Sequence, residues 1–139
     1  MSEFSTALSV SSSGLRAQAQ RLRHVAENIA NADTPGYRRK TIGFEAARGA
    51  GAAGTSAGTA PPEGGVIPGP VRLDRTPLRQ VYDPAHPLAD ATGHYDGSNV
   101  NLMIEMADAR EAQRSYEANL KMFDQARQMS SELMDLLRR

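Results

Sequence analysis

From Leu102 to Leu137 the apolar side chains return every three or four positions, at Leu102, Met106, Ala109, Ala112, Tyr116, Leu120, Phe123, Ala126, Leu133 and Leu137, with Ser130 keeping step between them. That is the period of an α-helix with one apolar stripe. It predicts a helix from about Asn101 to Leu137, opened by the Asn101 side chain as an acceptor for the first free amides. Glu105, Asp108 and Glu111 lie in its early turns and Arg138 and Arg139 close it, so its charges complement the helix dipole. A helix of about 37 residues reaches on the order of 55 Å. A chain of 139 residues that spends so much length on one rod is elongated.

The other end has a matching pattern. Leu8, Leu15, Leu22 and Ile29 are spaced by sevens, with Phe4 and Val25 beside them, which is a heptad seam. Ser11-Ser12-Ser13-Gly14 forms helix poorly, so weak first turns and a bend near Gly14 are expected. Asp33-Thr34-Pro35-Gly36 stops the helix, because proline removes a donor and glycine admits a turn.

Between the helices the composition changes. Residues 48–65 are, apart from Arg48 and Glu63, glycine, alanine and other small residues with two prolines, a flexible linker with nothing to bury. Val66-Ile67, Val71-Arg72-Leu73 and Leu78 to Tyr82 read as short extended pieces parted by Pro68, Pro70 and Pro77. The expected architecture is mainly α: an N-terminal helix in residues 1–33, an irregular insert over 34–99 holding at most a short β-hairpin, and a C-terminal helix in 100–139. The end helices are expected to pack as an antiparallel, coiled-coil-like hairpin.

The residues that could carry chemistry point elsewhere. His24, His86 and His94 are scattered, with no i, i+4 pair for a metal, and His24 is expected on the solvent face beside Arg23. The serine run lacks a G-x-S-x-G elbow. Glu105, Asp108 and Glu111 read as a solvated flank rather than an enclosed acid pair. With 16 basic residues against 16 acidic ones and zero cysteines, there is no field to gather nucleic acid and no thiol chemistry. Arg38-Arg39-Lys40 is a short basic run suited to phosphate or an acidic surface on a partner, with an inter-subunit salt bridge an equal reading beside it, and is weak evidence for nucleic acid. No apolar run is long enough to insert in a membrane, and the N-terminus lacks a secretory signal pattern. The expectation is a protein that is not an enzyme and uses no cofactor, metal or small-molecule substrate.

Apolar surplus points to assembly. Met103, Ile104, Met122, Met129, Met134 and Leu136 lie off the main stripe, where a single partner helix cannot cover them too. Either the middle segment or neighbouring subunits cover them. The candidate assembly residues are therefore Phe4, Leu8, Leu15, Leu22, Val25 and Ile29 on the first helix. On the second they are Leu102, Met106, Tyr116, Leu120, Phe123, Leu133 and Leu137.

The stretch from Ala26 to Tyr37, which contains Asn28, Asn31, Thr34, Pro35, Gly36 and Tyr37, resembles the N-terminal signature of bacterial flagellar axial proteins, the rod and hook family. Ala109 to Phe123 is similar to the terminal helix of the same family. The segment Tyr82-Asp83-Pro84-Ala85-His86-Pro87, with Asn99-Val100-Asn101, resembles its proximal-rod members. The resemblance implies a structural subunit of the basal-body rod that assembles helically with copies of itself and other rod proteins and transmits torque. It also implies passage through the flagellar type III export apparatus without a cleaved signal, and a place in the rod where it crosses the periplasm. A soluble helical-hairpin adaptor or chaperone that binds a partner's helix is the other reading of the stripes.

Overall fold

The structure is a computed structural model that describes residues 2–47 and 63–138; most of the expected 48–65 linker lies outside the described residues. Two helices dominate: α1, Ser2–Ala30, and α2, Leu102–Leu137. They run antiparallel, since Gly14 approaches Asn119 while Asn28 meets Glu105 near the other end. The mainly helical architecture with packed end helices is as the periodicity predicts. Asn101 caps α2 as expected, its side chain accepting from the amides of Met103 and Ile104.

Helix α1 does not break at its serine run. The Ser13 hydroxyl donates to the Val10 carbonyl one turn back, at 2.7 Å, and accepts from the Val66 amide at 2.9 Å. A tertiary contact thus holds a sequence that is weakly helical alone. Gly14 faces α2 at close range: a Cβ there would lie 2.8 Å from Asn119 Nδ2.

The seam between the helices differs from the stripes of large residues. Gly14, Ala17, Val25 and Asn28 are buried on α1, and only Glu105 and Ala112 are buried on α2. The buried positions of the seam carry mostly small side chains, and the large apolar ones are left on the flanks. Phe4, Leu8, Leu15 and Leu22 are half-buried, and Ile29 is exposed. On α2, Tyr116 and Phe123 are half-buried, whereas every leucine, isoleucine and methionine of that helix is at least 42 % exposed.

The insert holds two β pairings where one short hairpin is expected. Strand β1, Lys40–Ala46, pairs antiparallel with β2, Val66–Leu73; β3, Gln80–Tyr82, pairs antiparallel with β4, His94–Asp96. Pro68 and Pro70 sit inside β2, which is possible because a two-stranded sheet leaves one side of each strand without ladder bonds. The register shifts between Ile42 and Phe44, where Gly69 and Pro70 of β2 stand opposite Gly43 alone, a bulge in β2.

Candidate assembly interface

The end of α1 is shaped by its own polar residues. Asn31 Nδ2 donates to the Glu27 carbonyl at 2.9 Å, and its Oδ1 accepts from the Thr34 hydroxyl at 3.1 Å. The Tyr37 amide closes the turn on the Thr34 carbonyl at 3.2 Å. Gly36 adopts φ 73°, a left-handed conformation that favours glycine, and its amide donates to the carbonyls of Asp96 and Gly97 at 3.0 and 3.1 Å. The turn sends Tyr37, Arg39 and Lys40 back across the helix pair.

Asn28 receives them. Its Nδ2 donates to the Lys40 carbonyl at 2.9 Å and to Glu105 Oε2 at 3.1 Å; its Oδ1 accepts from the Lys40 amide at 2.8 Å and the Tyr37 hydroxyl at 3.0 Å. All four hydrogen-bonding positions of the carboxamide are filled. One side chain, 1 % exposed, therefore ties α1, the turn, β1 and α2 together.

Glu105 is not on a solvated flank. It is fully buried and paired with Arg39 Nε, while Arg39 Nη2 reaches Asp108 Oδ2 at 2.8 Å. Arg21 continues the network to Asp108 at 3.3 Å and Glu111 at 3.5 Å. Of the three carboxylates, only Glu111 remains largely in water, its side chain 68 % exposed. The basic run is likewise engaged within its own chain: Arg39 as above, Lys40 Nζ on Glu27 Oε2 at 2.9 Å, and Arg38 on the carbonyls of Asp74 and Thr76. Burial works against the Arg39 charge, but the hydrogen bond to Glu105 and the charges of Glu105 and Asp108 outweigh it and its pKa is raised. The Glu27 hydrogen bond and charge raise the pKa of Lys40. Glu27 is lowered by its bonds to Lys40 and then His24. His24, only 13 % exposed at its side chain, packs beside Glu27 at 3.4 Å instead of facing solvent.

Asn99 and Ser98 lock the approach to α2. Asn99 Oδ1 accepts from the Arg39 amide at 2.6 Å, and its Nδ2 donates to Asp74 and Thr76; the Ser98 hydroxyl donates to the Ala32 carbonyl. Sequence reading flagged Asn99 only by resemblance and missed the pairing of Arg39 with Glu105, for which sequence offers no local signal.

Tyr82, Asp83, Pro84, His86 and Pro87 do not join this network. They form the loop leaving β3, closed by the Asp83 amide on the Gly93 carbonyl at 2.9 Å and by His86 stacked on Tyr95 with ring centroids 4.0 Å apart. Gly93, at φ 81°, lets Pro84 and Tyr82 close over it; a Cβ would lie 2.9 Å from Pro84 Cγ. Tyr82 is 67 % exposed and Leu88 66 %, so the loop ends in an apolar, aromatic knob.

In chemical terms the site holds elements together. The buried carboxylate spends its charge on Arg39, and Asn28 has no free donor or acceptor with which to act on a substrate. Among the described residues no helix is long and apolar enough to cross a membrane.

Two family models match the parts that meet in this clasp. One, described as "Flagella basal body rod protein", covers residues 8–38, and the other, "Flagellar basal body rod FlgEFG protein C-terminal", covers residues 91–136. A helical hairpin built from both ends of the chain, with most of each helix inside one of these two matches, defines the class of flagellar rod proteins. The chain is 41 % identical to the "Flagellar basal-body rod protein FlgC" of Agrobacterium fabrum, over 99 % of its own length and 98 % of that protein's. It is 35 % identical to the protein of the same description from Escherichia coli O6:H1, covering 91 % and 92 %, and 32 % identical to that of Borreliella burgdorferi, covering 95 % and 96 %. The chain belongs to the FlgC family of flagellar basal-body rod proteins.

Proposed function

We propose that this chain is a structural subunit of the proximal part of the flagellar basal-body rod, where it stacks helically with copies of itself and with other rod proteins and transmits torque. The observation that carries the reading is the surface of α2, on which every leucine, isoleucine and methionine is at least 42 % exposed. Fully burying such a side chain is worth about 1.5–3 kcal/mol. A helix that leaves so many of them in water gains that energy from neighbours, and unlike faces meeting in a contact that does not close on itself build a helical array. The clasp at Asn28 and Glu105 supports torque transmission, because it fixes the two helices and the turn as one unit that a neighbour can push against.

The candidate stripe residues Leu102, Met106, Leu120, Leu133 and Leu137 serve as inter-subunit contacts in this reading, and the exposed Tyr82 knob as a contact specific to this member of the rod. Export by the flagellar type III apparatus without cleavage, and a position where the rod crosses the periplasm, complete the proposal; kinship with proteins named as FlgC rod proteins supports the basal-body location.

Purified basal bodies provide the test. The chain is expected in them at the level of the proximal rod, and deleting Tyr82 to Pro87 is expected to abolish rod completion and motility while leaving the hairpin folded. Basal bodies of a motile strain that lack this chain would overturn the proposal.

A further inference from the structure

Three arginines from the two ends of the insert's first sheet converge on one cleft. Arg38 lies between the turn after α1 and β1, Arg72 near the end of β2, and Arg75 in the loop beyond it. With Thr41, Leu73 and Asp74 they line an open cleft of about 960 Å³. Thr41 stands opposite Arg72 in the β1 to β2 register, and Leu73 is 55 % exposed, so an apolar side chain lies among the charges.

The loop that carries Arg75 is held from several sides. Asn99 Nδ2 donates to the Asp74 and Thr76 carbonyls at 3.1 and 3.2 Å and to the Thr76 hydroxyl at 3.1 Å, and the Asp74 amide donates to the Arg39 carbonyl at 2.8 Å. Arg38 Nη1 donates to the same two carbonyls, at 3.3 and 3.2 Å. Backbone therefore orients the Arg38 guanidinium, while its Nε and Nη2 donors have no acceptor among the described residues. The Asp74 carboxylate is turned to the Thr76 amide, 2.9 Å from its Oδ1. Among the described residues neither Arg72 nor Arg75 has a hydrogen-bond or ion-pair partner for its side chain. Three guanidiniums thus share a cleft with one carboxylate that is already engaged.

Like charges held together favour a partner of opposite sign. This chain offers them none. Residues 48–62 contain neither Asp nor Glu. Asp83, Asp90 and Asp96 accept from the Ala85 amide, the Thr92 amide and the Gln80 carboxamide. On α2 the exposed Glu117 and Asp124 alternate with Arg114, Lys121 and Arg127, so a second copy presents mixed charge there. A bilayer is flat and does not follow a concavity, and a lone phosphate would leave Leu73 and most of the cleft unfilled. Planar guanidiniums bind carboxylates through two parallel hydrogen bonds, and Leu73 suits an apolar side chain between them.

We infer that the cleft of Arg38, Arg72 and Arg75 docks an acidic segment of a different protein, one that sets two or three carboxylates around an apolar side chain. The inference rests on the reading of the chain as a rod subunit and gives the chemistry of one neighbour in that assembly.

The lysines of the chain are Lys40 and Lys121, so Arg75→Lys keeps the charge and puts a new amine in the cleft. A carbodiimide joins an amine to a carboxylate in contact with it. In basal bodies containing this variant it is expected to give a product that neither the parent nor Arg75→Gln gives, linked to an Asp or Glu of another protein with further acids beside it in sequence. No new product, or a link only to a second copy of this chain, overturns the inference. A second variant, Arg72→Glu with Arg75→Glu, changes exposed side chains and is expected to keep the parent's circular dichroism and thermal midpoint. Its recovery in basal bodies is expected to fall tenfold or more, and to return when the linked carboxylate of the partner is changed to lysine. Recovery equal to the parent's overturns the inference. So does binding to phosphatidylglycerol vesicles by the parent and not by the double variant, which would assign the cleft to a lipid surface. The cross-link decides if the double variant loses its helices. Absence of the parent chain from basal bodies overturns the rod reading itself, whereas its presence there without the cross-link counts against the cleft alone.

Discussion

Asn28 and Glu105, 77 positions apart in sequence, meet at 3.1 Å with both side chains shut off from water, 1 % and 0 % exposed. Neither could be buried alone. The carboxamide needs four partners and the carboxylate needs Arg39, and the Asp33 to Tyr37 turn delivers Arg39 and the remaining partners together.

Replacing Asn28 with alanine therefore strands the Lys40 amide and carbonyl and the Tyr37 hydroxyl. The expected loss is about 2–4 kcal/mol, since each enclosed group left unpaired costs about 1–3 kcal/mol and some regain water. It is read as a lower urea midpoint of the helical circular dichroism signal. An unchanged midpoint would show that the clasp contributes nothing to holding the helices together.

The ion pair is asymmetric in what its loss costs. Arg39→Ala leaves the Glu105 charge buried without a counter-charge, for an expected 3–5 kcal/mol, roughly the usual penalty for halving a buried pair. Glu105→Gln keeps a polar group on Arg39 and Asn28, and Arg39 retains Asp108, so about 1–2 kcal/mol is expected. Combining both changes is expected to cost less than the sum of the two, which a double-mutant cycle measures directly.

Acid attacks three carboxylates that the fold holds ionised, the half-buried Glu27 and Asp74 and the exposed Asp90. Hydrogen bonds from Lys40 and then His24 hold Glu27 below its ordinary 4.5; the backbone and hydroxyl of Thr76 lower Asp74, and the Thr92 hydroxyl and the His94 and Thr92 amides lower Asp90, both from 3.8. A carboxyl lowered on folding adds stability above its unfolded value and loses it as pH falls through the folded one. Lys40, raised from 10.5, adds stability below that value and loses it as pH climbs past its folded one. The thermal midpoint is thus expected to hold between these limits and to fall below about pH 4.5. Glu27→Gln is expected to flatten part of the acid limb, as thermal scans across pH 2–7 will record.

Gly14 separates two expectations at one position. In Gly14→Ala the atoms nearest the new methyl are those of the movable Asn119 side chain, and helix propensity gains about 1 kcal/mol, so stability is expected to hold or rise slightly. Gly14→Leu has no such escape and is expected to lose about 1–3 kcal/mol through overpacking. Thermal unfolding of the two variants side by side decides the point; equal midpoints would mean that the helices do not approach closely there.

What the sequence determined by itself is local. The period of three and four from Leu102 to Leu137, the Asn101 cap and the Asp33 to Gly36 stop fix where the helices lie, because a helix is set by residues within one or two turns of each other. The same pattern shows that the chain carries more apolar surface than two helices can hide. Tertiary structure decided which face closes. The large side chains mark a stripe, yet the helices join along Gly14, Ala17 and Ala112, since backbones pack closest where little stands between them, and the leucines and methionines are left outward. It also turned Glu105 from one of three apparently solvated acids into a buried anchor, because only the returning turn brings Arg39 to it. Strand β1 escaped notice for a related reason: Lys40–Ala46 has few large apolar residues, Ile42 and Phe44, and it becomes a strand by pairing with Val66–Leu73, 20 or more positions further on.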